Sequence, residues 1–203
     1  MSAGATRRPR RGIMLIEVLL ALAITAMVAT AVASLLFALA NGTRDRQDLR
    51  RHNVLADVLA NRIDGTIRSA SMVLGHDATC LVLWAGDSRR NGKPDLSELR
   101  RIEWDPATRQ LRCHRPPADL PDADDATYET ADDFVALTDA LKGTGNFPGD
   151  VWGNGVTAWS STLAADAAHD ARTISYSVTI ASAAGTYRIP SSASLRGTSV
   201  AER

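Results

Sequence analysis

A long apolar run near the N-terminus, interrupted by a single carboxylate, constrains this chain more than any other feature. Residues 13–40 read IMLIEVLLALAITAMVATAVASLLFALA, and Glu17 is the one charged residue among them. About twenty apolar residues are enough to cross a bilayer, so the run predicts a transmembrane helix. A carboxylate in such a helix costs roughly 2.5–3.5 kcal/mol on insertion scales, which indicates a functional role and a charged partner.

The residues that precede the run set its expected orientation. They comprise four arginines and a glycine, Arg7, Arg8, Arg10, Arg11 and Gly12. Basic residues beside a membrane segment stay in the cytoplasm, so we expect the N-terminus there. A cleaved secretory signal fits poorly, because its apolar region has about 7–15 residues and ends at a small-residue site. Arginine clusters also bind nucleic acids, but beside a membrane segment we interpret them as topological.

The segment resembles the prepilin-type signal of the type IV pilin and pseudopilin family. That signal has a basic leader ending in glycine, an apolar first mature residue and glutamate at mature position five. Gly12, Ile13 and Glu17 occupy these positions, although the family most often has phenylalanine where this chain has Ile13. The resemblance implies cleavage between Gly12 and Ile13 by a prepilin peptidase and N-methylation of Ile13. It also implies that Glu17 pairs with the terminal amine of a neighbouring subunit during assembly.

The same resemblance implies the fold class and the location. We expect an α+β, pilin-like protein in which one long N-terminal helix packs on an antiparallel β-sheet domain. It would cross the inner membrane once, with its C-terminal domain in the periplasm. The expected parts are a cytoplasmic leader (residues 1–12), a transmembrane and assembly helix (residues 13–40) and an exported domain (residues 41–203).

Periodicity beyond the apolar run predicts a helix followed by strands. Leu55, Leu59, Ile63 and Ile67 recur every four residues, with charges on the other face. This spacing is typical of an amphipathic helix whose apolar stripe packs on a sheet. Short β-branched and aromatic stretches then predict strands. They lie at residues 79–85, 99–105, 109–115, 155–161, 173–181 and 186–190.

Two short motifs indicate a subclass. A predicted hairpin through residues 106–108 ends in Leu111-Arg112, and a later strand begins with Gly155-Val156. This order is similar to the J-type minor pseudopilin of type II secretion, which implies a structural subunit of the pseudopilus with other pseudopilin subunits as partners. The alternatives are a minor pilin of a type IV pilus, for adhesion or DNA uptake, and a signal-anchored binding or enzyme domain.

Charge and motif content exclude several functions. The leader holds four of the 23 basic residues, which leaves 19 against 23 acidic residues, a net charge near −4. We therefore expect no nucleic-acid binding by the exported domain. The four histidines are scattered, and no nucleophile elbow, phosphate loop or dinucleotide fingerprint occurs, so we predict no catalytic residues. Residues 116–133 contain acids and no base and predict a solvated loop.

Two cysteines, Cys80 and Cys113, fall in predicted strands. On the exported side a disulfide between them can form and persist. It requires the two strands to be neighbours, because the Cα atoms of a disulfide lie within about 7 Å of each other. The alternative is a pair of small buried thiols. Both interpretations are open from the sequence.

Residues 87–98 partly match the twelve-residue calcium loop. Its oxygen ligands would be Asp87, Asn91, Asp95 and Glu98. Arg89, however, occupies a ligand position and adds positive charge where a calcium site needs negative charge. Asn91-Gly92 is also a strong turn dipeptide. We therefore expect a hairpin connection between residues 81–85 and 99–104 and no metal or other cofactor, with calcium binding as the alternative.

Overall fold

The structure is a computed structural model and describes residues 15–182 and 185–196. Within them, one long helix, α1 (Leu15–Ser69), precedes eight strands and a short second helix. The protein is therefore α+β. The chain divides into two compact units, Met1–Asp48 and Leu49–Arg203, and the division falls within α1. Gly12, Ile13 and the leader arginines lie outside the described residues.

The strands form two sheets, and every pairing is antiparallel. Their bounds are β1 Met72–His76, β2 Cys80–Trp84, β3 Leu99–Asp105, β4 Gln110–His114, β5 Gly149–Asn154, β6 Val156–Leu163, β7 Thr173–Ser182 and β8 Gly185–Ser194. The larger sheet has the order β1-β2-β3-β4-β5 and the smaller sheet the order β6-β7-β8. Helix α2 (Phe134–Leu141) lies between β4 and β5 in sequence. Each predicted strand corresponds to one of these elements, whereas β1, β5 and α2 were not predicted.

Local chemistry explains the turn of the β3–β4 hairpin. Asp105 is the last paired residue of β3, opposite Gln110. Its carboxylate accepts a hydrogen bond from the backbone N–H of Ala107 (2.9 Å) and another from the hydroxyl of Thr108 (2.6 Å). Such aspartate turns supply polar partners that the turn backbone otherwise lacks. The predicted hairpin at residues 106–108 is confirmed.

The second half of α1 forms the centre of the main core. Leu59, Ile63 and Ile67 are 2%, 0% and 0% exposed. They belong to one apolar cluster with residues of both sheets, including Leu81, Leu83, Ile102 and Leu111 of the larger sheet and Val156, Ile174 and Val178 of the smaller sheet. The predicted stripe is thus confirmed at three of its positions. Its first residue, Leu55, is 56% exposed, because the apolar period continues beyond the part of the helix that the sheets cover.

Helix α2 closes a second apolar cluster on the other face of the larger sheet. Asp133 caps it by accepting hydrogen bonds from the N–H groups of Val135 and Ala136, both at 3.1 Å. Such a cap satisfies two of the four donors that a helix leaves free at its N-terminus. The cluster contains Cys80, Val82, Leu96, Leu99, Phe134 and Phe147. The larger sheet is therefore covered by apolar side chains on both faces.

The candidate disulfide between Cys80 and Cys113 is not formed. Both residues are free, buried thiols. Cys80 pairs with Glu103 and Cys113 pairs with Ile102, so β3 separates their strands. Because consecutive residues of a strand point to opposite faces, the two thiols also lie on opposite faces of the sheet. Burial raises the pKa of each thiol to about 12, which keeps both protonated and unreactive at neutral pH.

Gly75 lets α2 approach β1 closely, which gives a stability prediction. A Cβ at Gly75 would lie 2.9 Å from Val135 Cγ2 and 3.3 Å from the Val135 backbone nitrogen. Gly75→Ala should therefore force α2 to shift and lower the free energy of unfolding by about 1–3 kcal/mol. The control is Gly65→Ala in α1, where no atom lies within 4 Å. That variant should raise the free energy by about 0.5–1 kcal/mol.

Denaturant unfolding of the full chain in detergent measures both variants. Equal stability of Gly75→Ala and the original chain would mean that α2 does not pack on β1 as described.

Candidate functional site

The N-terminal part of α1 has the length and composition of a membrane span. Its segment Leu15–Leu39 has a mean hydropathy of 2.4, and none of its most apolar stretch is buried. It is the one helix among the described residues that is long and apolar enough to cross a bilayer. The large apolar side chains of this segment are exposed, with Leu15 at 80% and Phe37 at 70%. They suit a bilayer or a bundle of neighbouring helices, since either would cover them.

Glu17 is chemically different from the other polar side chains of this segment. The hydroxyls of Thr25 and Thr30 donate to the carbonyls of Ala21 (2.7 Å) and Ala26 (2.9 Å). Helix carbonyls can satisfy a hydroxyl in this way, but they cannot satisfy a carboxylate, which has no proton to donate. Glu17 lies in the first turn of α1 and is exposed. Its carboxylate is therefore available to a cationic partner.

The four candidate calcium ligands are connected by hydrogen bonds. The Asn91 amide donates to both carboxylate oxygens of Asp95 (3.2 and 3.0 Å), and the backbone N–H of Asp95 donates to Glu98 Oε2 (3.3 Å). Asp87 accepts from the backbone N–H groups of Asn91 (2.9 Å) and Gly92 (2.8 Å) and so shapes the turn. Glu98 is buried and accepts from Trp84 Nε1 (2.8 Å) and the Ser88 hydroxyl (2.7 Å). Among the described residues no three His, Cys, Asp or Glu side chains are grouped to hold a metal ion. The expected hairpin is confirmed, because β2 pairs with β3 and these residues connect them.

A guanidinium group of this loop lies among three carboxylates, one from the loop itself and two from the acidic segment at residues 116–133. Arg89 Nη2 is 2.8 Å from Asp122 Oδ1 and 3.0 Å from Asp125 Oδ2, and its Nε is 3.8 Å from Asp95 Oδ2. The side chains of Asp95 and Asp125 are only 0% and 4% exposed. Two buried carboxylates need a nearby cation, because an uncompensated buried charge is costly. Arg89 is that cation.

The acidic segment that provides two of these carboxylates is attached to the loop. The backbone N–H of Leu96 donates to Ala126 O (2.8 Å), and that of Tyr128 donates to Pro94 O (2.9 Å). Lys93 forms an ion pair with Glu129. Residues 116–133 are mostly exposed, so the predicted loop is solvated, and it is also hydrogen-bonded to the loop at residues 87–98. The charges that make this attachment are visible in the sequence, because the loop contains Arg89 and Lys93 while the segment at residues 116–133 contains acids and no base.

A second polar cluster connects α2 to the larger sheet. Glu103 Oε1 is 2.8 Å from Lys142 Nζ, and Glu103 Oε2 is 3.2 Å from Arg101 Nε and 3.3 Å from His114 Nε2. Arg101 also donates to the hydroxyl of Thr138 in α2 (2.8 Å). Burial alone would raise the pKa of Glu103. The hydrogen bonds from His114 and Lys142 and the charge of Arg101 outweigh burial and lower this pKa to about 2.

Comparisons of the chain with protein-family models, with curated proteins and with solved structures find no match.

Replacing Arg89 by aspartate should convert the loop into a calcium-dependent one. Arg89→Asp supplies the missing ligand position of the calcium pattern and leaves Asp95 and Asp125 without their cation. In chelator we expect a loss of about 2–4 kcal/mol, since removing one partner of a buried ion pair costs about 3–5 kcal/mol and Arg89 is partly exposed. Calcium at a hundredfold excess over its Kd should restore about 2.7 kcal/mol. Thermal melting with millimolar calcium and with chelator measures this.

The matched control is Arg90→Asp, which makes the same charge change at the neighbouring exposed residue. It should show no calcium response, and neither should the original chain. Calcium stabilisation of the original chain that disappears in Asp87→Ala would contradict the role given to Arg89.

The lowered pKa of Glu103 predicts acid sensitivity. A carboxylate whose pKa is lower in the folded state than its usual 4.5 contributes stability above pH 4.5 and loses it as the pH falls towards about 2. The contribution lost over that interval should be about 2–3 kcal/mol. Glu103→Gln should therefore show a flatter stability profile than the original chain between pH 5 and pH 2. Denaturant unfolding at several pH values measures the difference, with Glu129→Gln as the exposed-carboxylate control. Parallel profiles for Glu103→Gln and the original chain would contradict this role of Glu103.

Proposed function

We propose that this chain is a minor pilin-like subunit, a pseudopilin, that a prepilin peptidase processes and that assembles into a type II secretion pseudopilus. Its role is then structural, in protein export, and its partners are other pseudopilin subunits. The observation that carries the proposal is Glu17, an exposed carboxylate in an otherwise uncharged apolar helix. The basic leader that ends in Gly12 adds the recognition signal for processing.

Processing and assembly are connected by one charge pair. Cleavage after Gly12 would leave a new α-amino group on Ile13, close in sequence to Glu17. A carboxylate and an amine that meet in low dielectric cost far less together than either does alone. The Glu17 carboxylate of one subunit would therefore favour a position beside the Ile13 amine of its neighbour. N-methylation of Ile13 would leave that amine cationic.

The two motifs that resemble the J-type minor pseudopilin lie next to each other within the unit Leu49–Arg203. This proximity supports the proposed subclass. Leu111 is fully buried on β4 and pairs with Gly153 of β5. Gly155 follows β5 with a φ of +74°, a conformation that favours glycine. Val156 begins β6, and its N–H donates to the carbonyl of Arg109 (2.9 Å). Under this proposal both motifs have the same structural role, which is to form the junction between β4, β5 and β6.

Two substitutions separate the steps of this proposal. Gly12→Phe should block processing, because a bulky side chain obstructs the backbone at the scissile bond, and assembly should fail with it. Glu17→Leu should leave processing and insertion intact but reduce assembly more than tenfold, since an unpaired buried amine costs about 3–5 kcal/mol. Intact-mass measurement of the membrane-resident protein reads processing, and sedimentation of sheared filaments reads assembly.

Thr25→Val is the control, because its hydroxyl is satisfied within the helix. It should behave as the original chain does. A mature protein that retains Met1 or Ser2 would refute processing and favour a signal-anchored domain instead. Normal assembly of Glu17→Leu would refute the charge pair.

A further inference from the structure

A groove lined by arginines lies between α1 and the larger sheet. It consists of two cavities of about 600 and 520 Å³ that share Arg100, Arg115 and Asp150 as lining residues. Arg62 of α1 forms part of the wall of the first cavity. Among the described residues, none of these arginines forms an ion pair with a candidate calcium ligand or with Glu103.

The positive charge of the groove is only partly compensated. Arg115 pairs with Asp150 at 3.1 Å, and both side chains are 61% exposed. Arg100 donates through Nη1 to the carbonyls of Ser97 (2.9 Å) and Leu99 (2.7 Å), which are neutral partners. Within the described part of the chain, neither Arg62 nor Arg100 forms an ion pair. The groove therefore has two guanidinium groups available for an anion.

The rest of the groove has the composition of a protein-binding surface. Its first cavity is bordered by Trp152, which is half-buried, and by Val151, which is 42% exposed. Tryptophan and arginine are the residues most enriched at the energetic centres of protein interfaces. Val151 and Trp152 both belong to β5, which is an outer strand of the larger sheet. Small-molecule sites, in contrast, are mostly apolar and enclosed.

We propose that this groove is a docking surface for an extended, acidic segment of a partner protein. Guanidinium groups bind carboxylates through paired hydrogen bonds, so alternating acidic side chains could contact Arg62 and Arg100 while the backbone follows β5. Asp150 then acts against binding, because it occupies Arg115. The inference does not depend on the proposed assembly function.

The experiment measures peptide binding to the full chain in detergent micelles. The probe is a short labelled peptide in which aspartate alternates with alanine, and its matched neutral form has asparagine in place of aspartate. Fluorescence anisotropy at low salt should show binding of the acidic peptide alone. Arg62→Gln and Arg100→Gln should each weaken it about tenfold, as expected for loss of one charge-assisted contact. Asp150→Asn should strengthen it by releasing Arg115.

The control is Arg68→Gln, which removes the same charge from the same helix at a residue that already pairs with Asp64 at 3.4 Å. It should bind the acidic peptide as the original chain does. If Arg100→Gln fails to fold, Arg62→Gln and Asp150→Asn decide the matter, because both positions are exposed. Their opposite effects are expected of a docking surface and not of a structural role.

Three results would overturn the proposal. Equal binding of the neutral peptide would show that acidic side chains are not recognised. Competition by inorganic phosphate at the affinity of the peptide would show a general anion site. Self-association of the chain that is lost in Arg62→Gln would assign the groove to a second copy of this chain.

Discussion

The fold of the unit Leu49–Arg203 depends on the burial of three residues of α1 between its two sheets. Full burial of Leu59, Ile63 and Ile67 contributes about 1.5–3 kcal/mol for each side chain. Within the described structure α1 is the one α-helix that contributes buried residues to this shared core, and its stripe contacts residues of both sheets. A polar contact fixes the smaller sheet to the helix. The Tyr176 hydroxyl donates to Asp64 Oδ1 at 2.6 Å, and its oxygen lies 3.2 Å from Ala60 O.

The polar clusters show how the chain neutralises several of its carboxylates with its own cations. Asp95 and Asp125 are compensated by Arg89, and Glu103 by Arg101 and Lys142. Arginine suits this position because its planar group can contact several carboxylates at once, whereas a metal ion would require their oxygens to converge. Each arrangement also connects segments that are distant in sequence. The first attaches the acidic segment to the β2–β3 connection, and the second attaches α2 to the sheet.

Features that depend on local spacing could be predicted from the sequence, and features that depend on long-range pairing could not. The stripe from Leu59 to Ile67 and the turn at residues 106–108 follow from periodicity and turn chemistry. Helix α2 has only eight residues, too few for its period to be distinguished from that of a strand. Strand β5, GDVWGN, lacks a clear alternation.

The arrangement of the cysteines and the contacts of the acidic segment could not be predicted, because sequence spacing does not specify strand order or the partner of a charge. The presence of β3 between Cys80 and Cys113 could be known only from the sheet order. Arg89 and Asp125 were each visible as charges, but their contact depends on how two long connections meet. The arginine groove has the same origin, since Arg62 lies in α1, Arg100 in β3 and Arg115 directly after β4.

Among the described residues, the two apolar clusters of the unit Leu49–Arg203 contain only residues from Leu59 onward, and the apolar segment at residues 15–39 contributes to neither. The apolar composition of that segment is therefore explained by its surroundings and not by the folding of the domain. A bilayer explains its apolar side chains, because each of them is more stable away from water. It does not explain Glu17, which the same bilayer penalises. A carboxylate that serves neither folding nor insertion is the reason for the proposed assembly role, in which a second chain would supply the cation.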